Sequence, residues 1–376
     1  MSESAPKTTV LPLTPAYQKQ DAQFGRTFTI LRDAIDQRAF PGCSLAVTHA
    51  GQLVALKALG RFTYDPASPL VAPDTVYDLA SVSKVVATTA MAIILYERGQ
   101  LDLESRLVDF LPEFASADDP RCREITLRML LAHSSGLPSW YKLYEKAHTR
   151  EGLIALADRT PLTAAPLERE EYSDIGFILL GEVLSQLAGE PLDKFCRREV
   201  FAPLGMETAS FNPPENMRTL IPPTMEDREF RRRIVQGEVN DENASVMGGV
   251  AGHAGVFANA LDVARFAHAM LSGGAPICSP QTLAMFTRRE RKPAGTSRAL
   301  GWDTPSQPSQ SGQYFSPASF GHLGHTGTSL WCDPQRQLSV TLLTNRTWPD
   351  RSTQQIKQVR PLVHDAVVEA VSGERC

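Results

Sequence analysis

The sequence predicts an α+β fold: an antiparallel β-sheet flanked by helices, with an all-helical lobe inserted into it. Three observations predict it. Strand-like runs lie near both ends of the chain, at 41–60 and 324–346. Helix-like spacing brackets those runs, at 21–39 and 353–371. Between them, 101–290 reads as helical segments parted by Pro and Gly turns. The expected organisation is a tail, 1–20, followed by a single domain, 21–376. Its sheet part draws on about 21–80 and 290–376, and its helical lobe on about 81–289.

Each element has its own signal. Phe24, Phe28, Leu31 and Ile35 recur at helical spacing in 21–39. The run "PGCSLAVTHAGQLVALKALG" (41–60) breaks at Ala50-Gly51, a hairpin signal between two strands. A Pro-rich link (65–73) leads to "DLASVSKVVATTAMAIIL" (78–95), a long apolar helix expected to run to about Arg98 and stop at Gly99. Further helices are expected at 126–133, 174–189, 261–271 and 279–286, and a long exposed loop at 304–319. Two β runs, 324–334 and 337–346, then turn through Asp333-Pro334-Gln335. In the closing amphipathic helix, His364 is expected at the surface.

Composition narrows the function classes. The 376 residues are 42% apolar and 21% charged, ordinary for a globular protein with a sizeable core. A net charge of -4 offers no electrostatic case for nucleic acid or an anionic membrane as partner. The cluster "EDREFRRR" (226–233) mixes both signs and reads as a solvated face. Six scattered cysteines include no C-x-x-C pair, and no H-E-x-x-H spacing occurs, so neither a metal nor a cofactor is expected. The first twenty residues lack the pattern of a signal peptide and no stretch reads as a membrane span, which gives a cytoplasmic expectation.

The chemistry centres on Lys84, an ammonium placed one helical turn after Ser81 at the start of a helix that must be buried. Burying a charge there costs several kcal/mol (~3 or more) unless it has a partner or a task. Ser-x-x-Lys occurs three times, at Ser4/Lys7, Ser81/Lys84 and Ser139/Lys142, but only the second opens a long apolar helix. There, residues i and i+3 share a face, and a buried amine next to a hydroxyl can take its proton. "EYSDIGFILLG" (171–181) places Tyr172 and Asp174 before another apolar helix, and "GHLGHTGTSLWCDP" (321–334) places His325-Thr326-Gly327 on an expected strand.

With these three pieces in this order, the chain resembles the serine β-lactamase and penicillin-binding protein superfamily, in its class C β-lactamase and D-alanyl-D-alanine carboxypeptidase-like branch. That family's pattern is Ser-x-x-Lys, Tyr-x-Asn, then Lys-Thr-Gly or His-Thr-Gly. "LLAHSSGLP" (130–138) and "GGVAGHAGVFANALDVARF" (248–266) also look familial, and the likeness spans roughly 20–370. The resemblance implies Ser81 as nucleophile, Lys84 as its basic neighbour and Tyr172 as the second proton shuttle. It implies backbone N–H groups of Ser81 and Thr328 as an oxyanion hole, with His325, Thr326 and Gly327 along the strand edge that receives substrate. Small-molecule or peptide substrates follow, with β-lactams as covalent ligands; oligomeric state does not.

Two positions depart from the pattern. Asp174 stands for the asparagine, and a carboxylate paired with Lys84 would keep that lysine charged and shift work to Tyr172. His325 stands for the commoner lysine, which makes the positive charge offered to a substrate carboxylate pH-dependent. Three further residues join the candidate site: His253, for which a structural role is favoured, Asn345 after the last strand, and Trp140 as a cleft wall. Two rival readings stand beside this one. "AHSSG" (132–136) is a loose match to a nucleophile elbow around Ser134, but a helical pattern precedes it where a strand is required. The other rival is a non-catalytic penicillin-binding sensor, against which the joint presence of Ser81, Lys84 and Tyr172 argues.

Overall fold

A computed structural model describes residues 12–116 and 119–373. Its framework is a six-stranded sheet. The elements are β1 (Thr14–Pro15), α1 (Gly25–Asp36), β2 (Gly42–His49), β3 (Gln52–Gly60), α2 (Ala80–Glu97), α3 (Asp174–Ala188), α4 (Ala260–Leu271), β4 (Phe320–Leu323), β5 (Ser329–Asp333), β6 (Leu338–Thr344) and α5 (Ile356–Ser372). The strand order is β1-β3-β2-β6-β5-β4. Every pairing is antiparallel except β1 with β3, so Thr14–Pro15, expected in a tail, caps one edge of the sheet. The Ala50-Gly51 turn takes positive φ at both residues, as a tight two-residue hairpin requires.

Both faces of the sheet are covered, which is why β2 is buried along nearly its whole length, Ser44 and Thr48 included. Cys43, Leu45 and Val47 share a core with Phe24, at the N-cap of α1, and with Phe28 and Leu31 of α1 and Val363 and Val367 of α5. Ala46, Leu330 and Leu343 belong to the larger core shared with α2, α3 and α4. The insert is mainly helical but also carries short strands, including Val256–Ala258, which pairs with Tyr77–Asp78 and Ser210–Phe211. α2 is long and apolar enough to cross a bilayer by length and composition, contrary to the expectation that no stretch is; 83% of it is buried inside the protein, as a core helix.

The helix signals act as expected at the chain's turning points. Ser173 caps α3 by accepting the Gly176 N–H (3.0 Å), and Gly189 ends it in the left-handed conformation. Two expectations change. His364 is buried, its Nδ1 2.8 Å from Gln310 O and its ring against Phe315, because its face of α5 packs on the 304–319 segment. The strand expected from residue 324 begins at Ser329, and a further strand, β4, precedes it; residues 324–328 form the turn between them.

Candidate active site

The helix α2 opens on an abrupt bend. Ala80 is held at φ 46, a left-handed conformation costly for a residue with a Cβ. The buried Asp78 carboxylate holds it there, accepting from Ala80 N (2.8 Å) and from Asn240 N (2.6 Å). Burial raises the Asp78 carboxyl to about 6 against those two hydrogen bonds. Ser81 follows at the mouth of a cavity of about 560 Å³. Lys84–Thr89 then run in a π-helical register, a widened turn common at functional sites.

Lys84 has no solvent-exposed surface, and its Nζ reaches three acceptors: Ser81 Oγ at 3.1 Å, Asp174 Oδ1 at 2.6 Å and His253 O at 2.9 Å. An ammonium has three donors, so this arrangement satisfies each of them. Burial lowers the Lys84 pKa, offset in part by the Asp174 charge. The carboxylate pairing foreseen from the sequence is therefore present, yet desolvation outweighs it in direction. Tyr172 lies beside the pair, with Lys84 Nζ 4.9 Å from its ring centre and its phenol within electrostatic reach of Ser81 and Asp174. Burial, then the Asp174 charge, push the phenol well above its ordinary pKa, so it rests protonated. Behind it, the His133 ring lies tilted at 4.5 Å and accepts the Ser173 N–H.

Across the cavity stands the edge strand β4, and the placement there differs from expectation. His322, Leu323 and Gly324 line the cavity, with the His322 ring 6.0 Å from Tyr172. His325 also lines it, but from the hairpin turn, where Arg346 donates to its carbonyl (2.7 Å) and lies 3.2 Å from its Nδ1. His325 is exposed, yet desolvation at the cavity wall and Arg346 lower it to about 4; the fixed positive charge beside it belongs to Arg346. Thr326 and Thr328 do not line the cavity. Their hydroxyls donate to Asp78 O and Leu79 O, both at 2.8 Å, tying the turn to the segment that presents Ser81. Gly327, at φ 99, makes the turn: a Cβ there would strike Thr344 Oγ1 and Arg346. The Thr326 and Thr328 side chains and the Gly327 turn therefore brace the segment that presents Ser81, contacts that leave the Thr328 backbone N–H implied for the oxyanion hole untouched.

Trp140 and His253 do line the cavity. His253 is a wall as well as a structural histidine, its Nε2 2.8 Å from Asp241 Oδ1. Against the upward push of burial, His253 and the Ala244 N–H hold Asp241 well below the usual carboxylate range. Asn345 is 1% exposed and donates to Phe62 O and Pro223 O, so it braces loops rather than touching the cavity. Ser134 is buried in the turn after the Leu127–Leu131 helix and lies off the cavity, without the strand an elbow needs.

Several wall residues had no sequence signal. Arg298 pairs with Glu170 (2.7 Å) and Asp303 and sits over the Tyr172 ring; Arg360, 4% exposed, donates to Gly324 O and Thr328 O, both 2.8 Å. Single arginines on long helices or loops carry no spacing to mark them. His322 did leave a trace, since Gly-His occurs twice in "GHLGHTG" and only the second step matches the family motif. Among the described residues no group of three or more His, Cys, Asp or Glu is placed to hold a metal ion.

A serine–lysine–tyrosine cluster between a helical lobe and a sheet edge, its lysine buried, defines a class, the serine hydrolases, and the comparisons give the family. The model of the Beta-lactamase family matches residues 28–363, and the chain belongs to that family. It is 31% identical over 343 residues to a putative D-alanyl-D-alanine carboxypeptidase of Escherichia coli (strain K12), covering 82% of this chain and 79% of that protein. It is 32% identical over 345 residues to an N-acetylmuramyl-L-alanine amidase of Bacillus subtilis (strain 168), covering 82% and 77%. The fold is similar to EstCE1, a hydrolase with promiscuous acyltransferase activity (TM-score 0.75, 21% identity, 93% and 99% covered). It is also similar to a class C β-lactamase from Rhodobacter sphaeroides (TM-score 0.70, 18% identity, 92% and 98% covered). The protein is a serine hydrolase of this superfamily, with the α+β architecture that the sequence implied.

Proposed function

We propose that Ser81 attacks ester, amide or β-lactam carbonyls to form an acyl-enzyme, with esterase or D-amino-acid peptidase activity as the main reaction. The convergence of Ser81 Oγ, Lys84 Nζ and the Tyr172 phenol on one cavity carries this reading. Lys84 passes a proton to Asp174, 2.6 Å away, and as a free amine takes the Ser81 proton. The Ser81 oxygen bonds to the carbonyl carbon, and the carbonyl oxygen takes the negative charge. Tyr172 gives its proton to the departing amine or alcohol as the bond to it breaks, and recovers a proton from Lys84. In the second half, the same groups deprotonate a water that releases the acyl group and restores Ser81.

The names of the carboxypeptidase and amidase relatives favour amide bonds beside alanine residues, and EstCE1 favours esters. A β-lactamase or murein D,D-carboxypeptidase is the second reading, supported by the class C fold neighbour. A sensor that acylates without turnover is the third. Intact-mass analysis with a fluorescent penicillin and a series of nitrophenyl esters, on wild type and Ser81→Ala, separates them. We expect ester turnover with a transient adduct on Ser81, absent in Ser81→Ala. Turnover that survives the substitution ends the assignment, and a stable adduct without turnover makes the protein a sensor.

A further inference from the structure

The segment "LLAHSSGLP" (130–138) lies off the cavity, yet the chain that carries Tyr172 is laid along it. Thr163 N–H donates to Gly136 O and Leu167 N–H to Ser134 O, both at 2.8 Å, and Asp174 N–H donates to Ser139 O, also at 2.8 Å. Residues 171–173 belong to neither a helix nor a strand, since α3 begins only at Asp174. The backbone at Tyr172 is therefore fixed from outside its own segment, and one residue does this on both sides of it. His133 O accepts the Glu171 N–H at 2.9 Å, and His133 Nδ1 accepts the Ser173 N–H at 3.0 Å. The His133 ring lies 4.5 Å from the Tyr172 ring and 5.0 Å from the Phe177 ring. His133 is 2% exposed and holds φ 53, a left-handed conformation that histidine and asparagine adopt more readily than most residues.

We propose that His133 is the positioning residue for Tyr172: it grips the chain one residue before and one residue after the tyrosine, backs the ring, and so sets where the phenol delivers its proton. The inference rests on the reading of Tyr172 as proton donor to the leaving group. Proton transfer falls off steeply with misplacement, so a donor on an irregular segment needs its backbone held. The grip depends on the tautomer. Ser173 N–H donates to Nδ1, so Nδ1 is bare and the proton of the neutral ring sits on Nε2. That Nε2 is buried without an acceptor, which costs free energy but leaves Nδ1 able to accept. Protonating Nδ1 would set N–H against N–H, and the surroundings oppose it: burial first, then the charges of Arg298 and Lys84, hold the ring well below its ordinary pKa. A phenylalanine at 133 fills the place of the ring and accepts nothing. An asparagine accepts near the place of Nδ1 and does not back the phenol.

The test compares kcat/KM, which reads acylation, on a 4-nitrophenyl ester and an ethyl ester of one acyl group. Nitrophenoxide leaves without a proton, whereas ethoxide must be given one. Tyr172→Phe is expected to raise the nitrophenyl-to-ethyl ratio by ~10²-fold or more, and His133→Phe by about tenfold. A merely structural brace, once lost, would slow both esters alike and leave the ratio unmoved. His133→Asn should keep the ratio within about threefold of wild type, because an acceptor remains for the Ser173 N–H. Adding His133→Phe to Tyr172→Phe should raise the ratio no further. A ratio that rises in Tyr172→Phe but not in His133→Phe overturns the positioning role alone. A ratio unmoved in Tyr172→Phe overturns the proton-donor reading, and the positioning role with it. Nitrogen-15 histidine spectra of the wild-type protein give a second reading independent of the variants. A protonated Nε2 and a bare Nδ1 are expected for His133 at neutral pH, and an Nδ1–H tautomer overturns the proposal.

Discussion

The two walls of the cavity are built on opposite plans. On the helical wall, Lys84 is saturated by Ser81, Asp174 and the His253 carbonyl: each of its three protons has a partner. On the sheet wall, His322 Nε2 and Arg360 Nε are buried without partners, and the Arg346 and Arg360 side chains donate to backbone carbonyls rather than carboxylates. A saturated cluster holds its geometry before substrate arrives, which is what proton transfer needs. Open groups on a rigid strand gain only when a ligand completes them, which is what recognition needs. The lysine cluster is thus closed on itself, while the sheet wall holds buried groups left unmet.

The comparison is broken most severely at Lys84. Lys84→Met removes the amine and leaves the Asp174 carboxylate unpaired beside Tyr172. Ester turnover should fall by ~10³-fold or more, and loss of one partner of a buried pair should cost about 3–5 kcal/mol in chemical denaturation. Asp174→Asn is gentler, since it keeps shape and removes charge. Without the anion, the Lys84 pKa falls further below its ordinary value, so the acidic limb of the kcat/KM profile should move to lower pH. A limb that stays in place would show that Lys84 is not the group titrating there.

On the sheet wall, Arg360→Met releases the carbonyls of Gly324 and Thr328 and frees the turn next to Ser81. We expect a ~10-fold loss of activity and about 1–3 kcal/mol of stability, measured together by kinetics and denaturation. Asn345→Ala should separate the two quantities, with a similar stability cost and kcat nearly unchanged, because its contacts to Phe62 O and Pro223 O lie off the cavity. His325→Gln should have the smallest effect on activity. With a folded pKa of about 4, below the ordinary value, the neutral ring is favoured by the fold. Its contribution to stability is present above the unfolded value of ~6.5 and is lost as pH falls through about 4. Wild type should therefore lose stability relative to His325→Gln across that window, while the ratio of carboxylate to neutral substrates stays flat between about pH 6 and 8. A ratio that follows an imidazole titration would return the charge to His325.

Much of the helical wall was legible because helices announce themselves locally. Ser81 and Lys84 share a face at i and i+3, the Ser173 cap and Gly189 stop delimit α3, and Asp174 opens that helix one residue later. The sheet wall was not, because a strand's role depends on what it pairs with. "GHLGHTG" contains two histidines at equivalent-looking steps, and only the β4–β5 register decides that His322 stands on the strand and His325 in the turn. Asn345 and His364 show the same limit. Each lies where its own segment gives no sign of burial, and each is enclosed by segments distant in sequence, such as Phe62 with Pro223 and Phe315.

The amino-acid order alone determined the fold class and the helix that buries an amine beside a hydroxyl, since both follow from local patterning; Tyr172 entered as a candidate through the family resemblance. Only the tertiary structure decided which histidine stands on the edge strand of the cavity, which arginines brace the turn, and that the buried amine meets its carboxylate at 2.6 Å. The reason is one of distance. Contacts between residues tens to hundreds of positions apart are set by strand register and packing, and neither leaves a local mark in the chain.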